Sequence, residues 1–262
     1  MAEDRTGRPD DRVTAPVPAA VGGAPEPPPE AVDLFGDQLP LARRYADLLA
    51  TTGISHGLVG PREAPRLWER HLVNCALLES MLEQDSTVID IGSGAGLPGI
   101  VLAIIRPDLQ VDLVEPLLRR TTWLEATVEE LGLTNVRVHR GRAEEMTLTS
   151  PVVTARAVAS LERLVSWSFP LLPAGGRLLA LKGEAAAAEL EEATELLTQI
   201  GVQHSHLHVL GEGVASEPIR VVEIVRPETV QPVRRQGGKK RPPRRDRRTG
   251  SSGRHRAGPT SD

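Results

Sequence analysis

Asp90-Ile91-Gly92-Ser93-Gly94-Ala95-Gly96-Leu97-Pro98-Gly99 is the stretch of this 262-residue chain whose residue types and spacing promise most chemistry. It follows a β-branched run, Thr87 to Ile91, and opens a helical pattern that continues to Ile105. Alternating glycines let the backbone turn with positive φ and let a ligand approach without interference from a Cβ. Pro98 suits a first helical turn, where its missing N–H costs nothing. Gly94-x-Gly96-x-x-Gly99 also satisfies a dinucleotide pattern. A carboxylate at Asp90, just ahead of the loop, would repel the pyrophosphate such a ligand lays on the helix N-terminus. S-adenosylmethionine carries no phosphate; its ammonium and sulfonium tolerate an acid, and its carboxylate can take backbone N–H groups. The loop is therefore read as an S-adenosylmethionine site at Asp90, Gly92, Gly94 and Gly96, in preference to a NAD site.

Further candidates stand at the ends of other apolar runs. Glu115 closes the run from Gln110, where an acid can accept both ribose hydroxyls of a nucleoside. Gly141-Arg142-Ala143-Glu144-Glu145 follows a third run and, in this topology, borders the adenine: a backbone N–H near Ala143 can meet a ring nitrogen, and the Glu144 carboxylate the amino group. Arg156 ends a fourth run; its guanidinium can grip a methionine carboxylate or hold an RNA phosphate. Lys182 ends a fifth run and is the only lysine before Lys239, a candidate for neutralising phosphate. His71 lies on the apolar stripe of a helix with Trp68 three residues before it, which suits a core histidine, with a substrate-side role as the alternative.

The elements that must position these residues alternate. Short apolar runs at 87–91, 110–115, 136–139, 152–155 and 177–181 are separated mostly by helical patterns, including 117–131, 161–172 and 185–200. Two more runs, 202–209 and 219–225, have only a Gly-rich turn between them. This predicts an α/β fold: a mostly parallel seven-stranded sheet with helices on both faces and an antiparallel hairpin at one edge. Helical patterns at 39–49 and 63–82 precede it. The expected organisation is a Pro-rich disordered tail (1–36), a helical extension (37–84), a Rossmann-like domain (85–228) and a basic disordered tail (229–262).

Composition narrows the class. Lys and Arg number 31 against 35 Asp and Glu, a formal charge of -4. Residues 231–262 hold 11 basic and 2 acidic residues, so a tail of +9 follows a body of -13. A polycation of that kind supplies a sequence-independent attraction to nucleic acid. With three Trp, two Phe and one Tyr, stacking platforms for single strands are scarce, and RNA binding must lean on arginine. A single cysteine, Cys75, excludes an internal disulfide framework and suits a reducing compartment. No apolar run approaches the ~18 residues of a membrane span, and the first residues lack the apolar core of a secretory signal. A cytoplasmic, metal-free monomer is the expectation.

The chain resembles the RsmG (GidB) family of ribosomal RNA guanine-N7 methyltransferases, which have a class I Rossmann-like fold. The resemblance is carried by Arg66-Leu-Trp-Glu-Arg-His71-Leu, the loop from Asp90 to Gly99, Arg142-Ala-Glu144, Val153-Thr-Ala-Arg-Ala-Val-Ala159 and Gly175 to Gly183, and spans about residues 37–226. Many members read His-x-x-Asp-Ser where this chain has His71-Leu-Val-Asn74-Cys75. The resemblance implies S-adenosylmethionine contacts at Gly92, Leu97, Ala143, Glu144 and Arg156, and as substrate a guanine of small-subunit (16S) ribosomal RNA or the small subunit itself, with His71, Arg156 and Lys182 on the substrate side. N7 carries a free lone pair, so attack on the methyl needs no prior deprotonation. The fourth run ends Thr154-Ala-Arg156-Ala, without the acidic-Pro-Pro-aromatic motif of amine methylation. No essential general base is expected. The competing readings are a methyltransferase for a small molecule or protein, and a non-enzymatic ribosome assembly factor.

Overall fold

The structure is a computed structural model and describes residues 23–156 and 159–232. Seven strands form one sheet in the order β3-β2-β1-β4-β5-β7-β6. They are β1 (Thr87–Ile91), β2 (Gln110–Glu115), β3 (Val136–Arg140), β4 (Val152–Arg156), β5 (Arg177–Lys182), β6 (Ser205–Leu210) and β7 (Ile219–Val225). β1 to β5 are parallel, and β7 runs antiparallel to both β5 and β6. The expected hairpin is thus at the edge, but its second strand inserts inside the first. Burial explains the order. β7 is apolar on both faces and belongs inside the sheet, whereas β6 carries Ser205, His206 and His208 and tolerates an edge.

Side chains of successive strand residues enter two different cores. Val88, Leu113, Leu179 and Val221 face one way, while Ile89, Val114, Leu178 and Val222 face the other. The first core is closed by α1 (Pro29–Phe35), α2 (Leu39–Leu48), a helical stretch ending in α3 (Asn74–Ala76), α4 (Gly99–Ile105) and α5 (Leu118–Leu131). The second is closed by α6 (Leu161–Ser168) and α7 (Ala186–Gln199). The N-terminal helices share their core with the sheet: Tyr45, Leu72 and Leu78 pack in the cluster that holds Val88 and Leu102.

Two expectations about the N-terminal region change. Residues 29–35, assigned to the tail, form α1. Pro29 stands where proline favours helix initiation, and Ala31 and Phe35 are buried. The Phe35 ring meets Trp68 edge-on at 6.1 Å, and Trp68 Nε1 donates to the Pro25 carbonyl at 2.7 Å. These few contacts supply the burial that composition alone concealed. The helix expected over 63–82 is also broken into a 3-10 stretch (Pro61–Arg66), a π turn (Trp68–Val73), α3 and a further 3-10 stretch (Leu77–Met81). Pro65, which cannot donate within a helix, sits in the first piece. The disorder expected at 1–22 and 233–262 falls outside the described residues, as do Ala157 and Val158.

The chain moves outward from β1 to β3, then returns to start β4 on the other side of β1. The crevice at such a reversal, beyond the C-terminal ends of the strands, is where open α/β sheets bind ligands. Gly92, Glu115, Arg156 and Lys182 all stand at those ends.

Candidate active site

The glycine loop is fastened on both sides. Gly92 and Ser93 N–H groups donate to the Val114 carbonyl at 2.8 and 3.2 Å, and Tyr45 Oη from α2 donates to the Ala95 carbonyl at 2.7 Å. Gly92, Gly94 and Gly96 have φ of 68°, 57° and 87°, in the left-handed region. Gly94 and Gly96 serve different ends. A Cβ at Gly96 would lie 2.4 Å from Ile100 Cδ1, so that glycine makes room for α4. A Cβ at Gly94 would meet nothing nearer than the Gly92 carbonyl at 3.8 Å, and would project toward a cleft of about 410 Å³ lined by Gly60, Gly92, Gly94, Leu97, Arg120 and Arg156 among others.

The acids near the loop, Asp90 of β1 and Glu115 of β2, are placed differently from one another. Glu115 is buried; its Oε2 accepts from Gly94 N–H at 3.0 Å and its Oε1 from Leu117 N–H at 3.1 Å, with Arg120 Nη1 3.4 Å from Oε2. Oε2 thus has two donors and only Oε1 keeps a lone pair for a further one, and Glu115 does not line the 410 Å³ cleft. Asp90 is fully buried beneath the loop and does not line the cleft. Its Oδ2 accepts from Gly99 N–H at 3.2 Å at the start of α4, and its Oδ1 has no partner. Burial pushes its pKa up to about 7, against the opposing pull of the Gly99 N–H and the Arg156 charge.

A raised carboxyl pKa stabilises the fold below the unfolded-state value and loses that contribution as pH rises through the folded value. Asp90 alone should therefore contribute a loss of stability as pH rises from about 4 to about 7, by at most about 1.4 kcal/mol per pH unit. Asp90→Asn, uncharged throughout, should flatten that dependence while keeping the acceptor for Gly99. Thermal melts of both proteins across pH decide it; parallel curves would mean that another group titrates.

Arg156 closes the cleft on the β4 side. Its Nη2 donates to the Arg70 carbonyl at 2.8 Å and to His71 Nδ1 at 2.7 Å, and its Nη1 reaches Cys75 Sγ at 3.2 Å. All three acceptors are uncharged when Cys75 is a thiol, and burial pushes the Cys75 pKa up. Among the described residues no carboxylate pairs with Arg156. Because His71 Nδ1 accepts from Arg156, its proton is on Nε2, which lies 3.1 Å from Glu63 Oε2 and donates to it. Burial, with the Arg156 charge second, lowers the His71 pKa to about 4, so the ring is neutral at pH 7.

His71 and Arg156 also border a second, larger cleft of about 1400 Å³, walled by Arg66, Asn74, Lys182 and Glu217 among others. Lys182 is 7% exposed there, with Nζ bonded to the Ala159 carbonyl at 2.6 Å and Glu189 at 2.7 Å. Its charge is matched by Glu189 in the free protein. Ala143 and Glu144 stand beyond β3, where Gly141 N–H donates to the Glu115 carbonyl at 3.2 Å; neither lines the 410 Å³ cleft. Glu63 was not singled out in the sequence, yet it lines both clefts and orients His71. Its one signal is the eight-residue spacing to His71, about two helical turns.

A family model described as GidB, rRNA small subunit methyltransferase G, matches residues 38–219. A relative from Thermobifida fusca (strain YX), named Ribosomal RNA small subunit methyltransferase G, is 53% identical over 226 residues, covering 86% of this chain and 94% of its own length. One of the same name from Streptomyces coelicolor is 53% identical over 203 residues, covering 76% and 85%. A third, from Renibacterium salmoninarum, is 49% identical over 198 residues, covering 74% and 92%.

Proposed function

We propose that this chain, which belongs to the GidB family (rRNA small subunit methyltransferase G), transfers a methyl group from S-adenosylmethionine to N7 of a guanine in small-subunit (16S) ribosomal RNA. The observation that carries this reading is Arg156, a cation held by neutral acceptors on the wall shared by two clefts. One cleft has the size and glycine-lined floor that suit a nucleoside; the other is large and bordered by arginines.

The residues present fit the methyl donor. Gly94 leaves the 410 Å³ cleft open where any side chain would enter it, and Oε1 of Glu115 keeps a lone pair for a ribose hydroxyl. Gly92, Gly94 and Leu97 would hold one side of the ligand and Arg156 its carboxylate. When bound, S-adenosylmethionine supplies a methyl group on a sulfonium, ready for displacement. The protein's own contribution is then orientation, which can supply roughly 7–11 kcal/mol in well-aligned systems. His71 is unsuited to remove a proton: both ring nitrogens are engaged and its pKa is about 4. This agrees with N7, whose lone pair is free before attack.

Mapping N7-methylguanosine in 16S ribosomal RNA from cells with and without the protein tests the reading. A single guanine should lose its methyl group in the deletion strain and regain it with the purified chain and S-adenosylmethionine. An unchanged map would sink the assignment. A melting temperature raised by S-adenosylmethionine and not by NAD separates the methyltransferase from a fold retained without its ligand.

A further inference from the structure

The motif Arg66-Leu-Trp-Glu-Arg70 has a feature that methyl transfer itself does not use. Arg66 and Arg70 are one helical turn apart at the rim of the 1400 Å³ cleft. Glu217, from the loop joining β6 to β7, reaches them from the opposite wall. Its Oε1 accepts from Arg66 Nη2, and its Oε2 lies 3.8 Å from Arg70 Nε. The three side chains are between 42% and 50% exposed, so the pairing is wet and contributes little to stability. The Glu217 carboxylate makes no other hydrogen bond among the described residues, so the core does not need it. Gly211 and Gly213 begin the loop that carries it, both with positive φ.

A carboxylate shared between two guanidinium groups presents the charge and the paired oxygens of a phosphodiester. Arg70 is held ready for such a ligand: its Nη1 lies 3.4 Å from both Glu63 oxygens, and its carbonyl receives Arg156 Nη2. An anion on Arg66 and Arg70 would therefore stand next to Arg156, which borders both clefts. We propose that Arg66 and Arg70 are a phosphodiester-binding pair for the RNA substrate, and that Glu217 occupies the pair in the free protein until the RNA backbone displaces it. The proposal rests on the reading that the substrate is RNA.

The test measures binding of the full chain to transcribed 16S ribosomal RNA across a salt series. Glu217→Gln removes the competing charge and should tighten binding about three-fold, an effect the size of an exposed ion pair. Glu129→Gln, an exposed acid on α5, reports what any lost negative charge does and should change affinity less. Replacing Arg66 and Arg70 together by alanine should weaken binding about ten-fold or more and lower the salt slope by about 1.4, for two contacts on single-stranded RNA. In that background Glu217→Gln should change nothing. S-adenosylmethionine affinity should stay within about two-fold throughout, which verifies the fold of every variant. The proposal is overturned if Glu217→Gln weakens binding, merely matches Glu129→Gln, or keeps its gain when both arginines are gone. A wild-type chain that fails to bind the RNA at any salt would instead remove the RNA reading, and this proposal with it.

Discussion

Gly94→Val is expected to fold and to lose at least about a hundred-fold in S-adenosylmethionine affinity, or about 2.7 kcal/mol. The two halves of that result have separate causes. Inside the protein a Cβ at residue 94 meets only the Gly92 carbonyl at an ordinary 3.8 Å, so no packing is lost. The backbone cost is that of a β-branched residue at φ 57°, about 1–2 kcal/mol. The new methyl groups enter the 410 Å³ cleft, where the floor must approach the ligand closely. Gly96→Val should do the reverse and unfold the loop, because its Cβ would sit 2.4 Å from Ile100 Cδ1. Calorimetric titration with S-adenosylmethionine and thermal melts of both variants separate these outcomes. A folded Gly94→Val protein with wild-type affinity would be inconsistent with a cofactor site at this loop.

Much of this site was legible before any coordinates, and the reason is local. The glycine loop, the acid before it and the acid ending β2 lie within 26 residues of sequence, and each follows a β-branched run whose period is plain. The same reading placed Asp90 against the ligand, whereas its carboxyl is under the loop at the start of α4. Alternation of side chains cannot say whether a buried group faces a cavity. Contacts between distant residues left no trace in the pattern. Arg156 meets His71 across 85 residues and Glu217 meets Arg66 across 151, and such pairs exist only once β4 and β7 have joined the sheet. The order of β6 and β7 escaped for a related reason: a hairpin at the edge can close either way round, and the choice belongs to burial of the more apolar strand.

Arg156→Lys is the second variant with a large expected effect, a loss of about 10²- to 10³-fold in kcat/KM, or roughly 2.7–4 kcal/mol. The planar guanidinium satisfies the Arg70 carbonyl, His71 Nδ1 and Cys75 Sγ at once while keeping its charge toward the clefts. A lysine retains the charge but cannot hold that fork, and at least one acceptor is left without its donor. His71→Ala should cost only about ten-fold, since it removes one of the supports of Arg156 and no proton-transfer step; loss of a true general base costs about 10²–10⁴-fold. His71 should also add no pH dependence to the rate between about pH 6 and pH 8, because a histidine with a pKa near 4 does not change charge there. Any dependence in that range that survives His71→Ala and vanishes in Asp90→Asn belongs to Asp90. The stability that neutral His71 contributes follows the opposite sign from Asp90: it is present above the unfolded-state value of 6.5 and fades as pH falls toward about 4. Steady-state kinetics of the two variants, with S-adenosylmethionine and RNA varied separately, distinguish the roles. A His71→Ala loss as large as that of Arg156→Lys, with both ligands still bound, would make the imidazole a proton acceptor and overturn direct displacement.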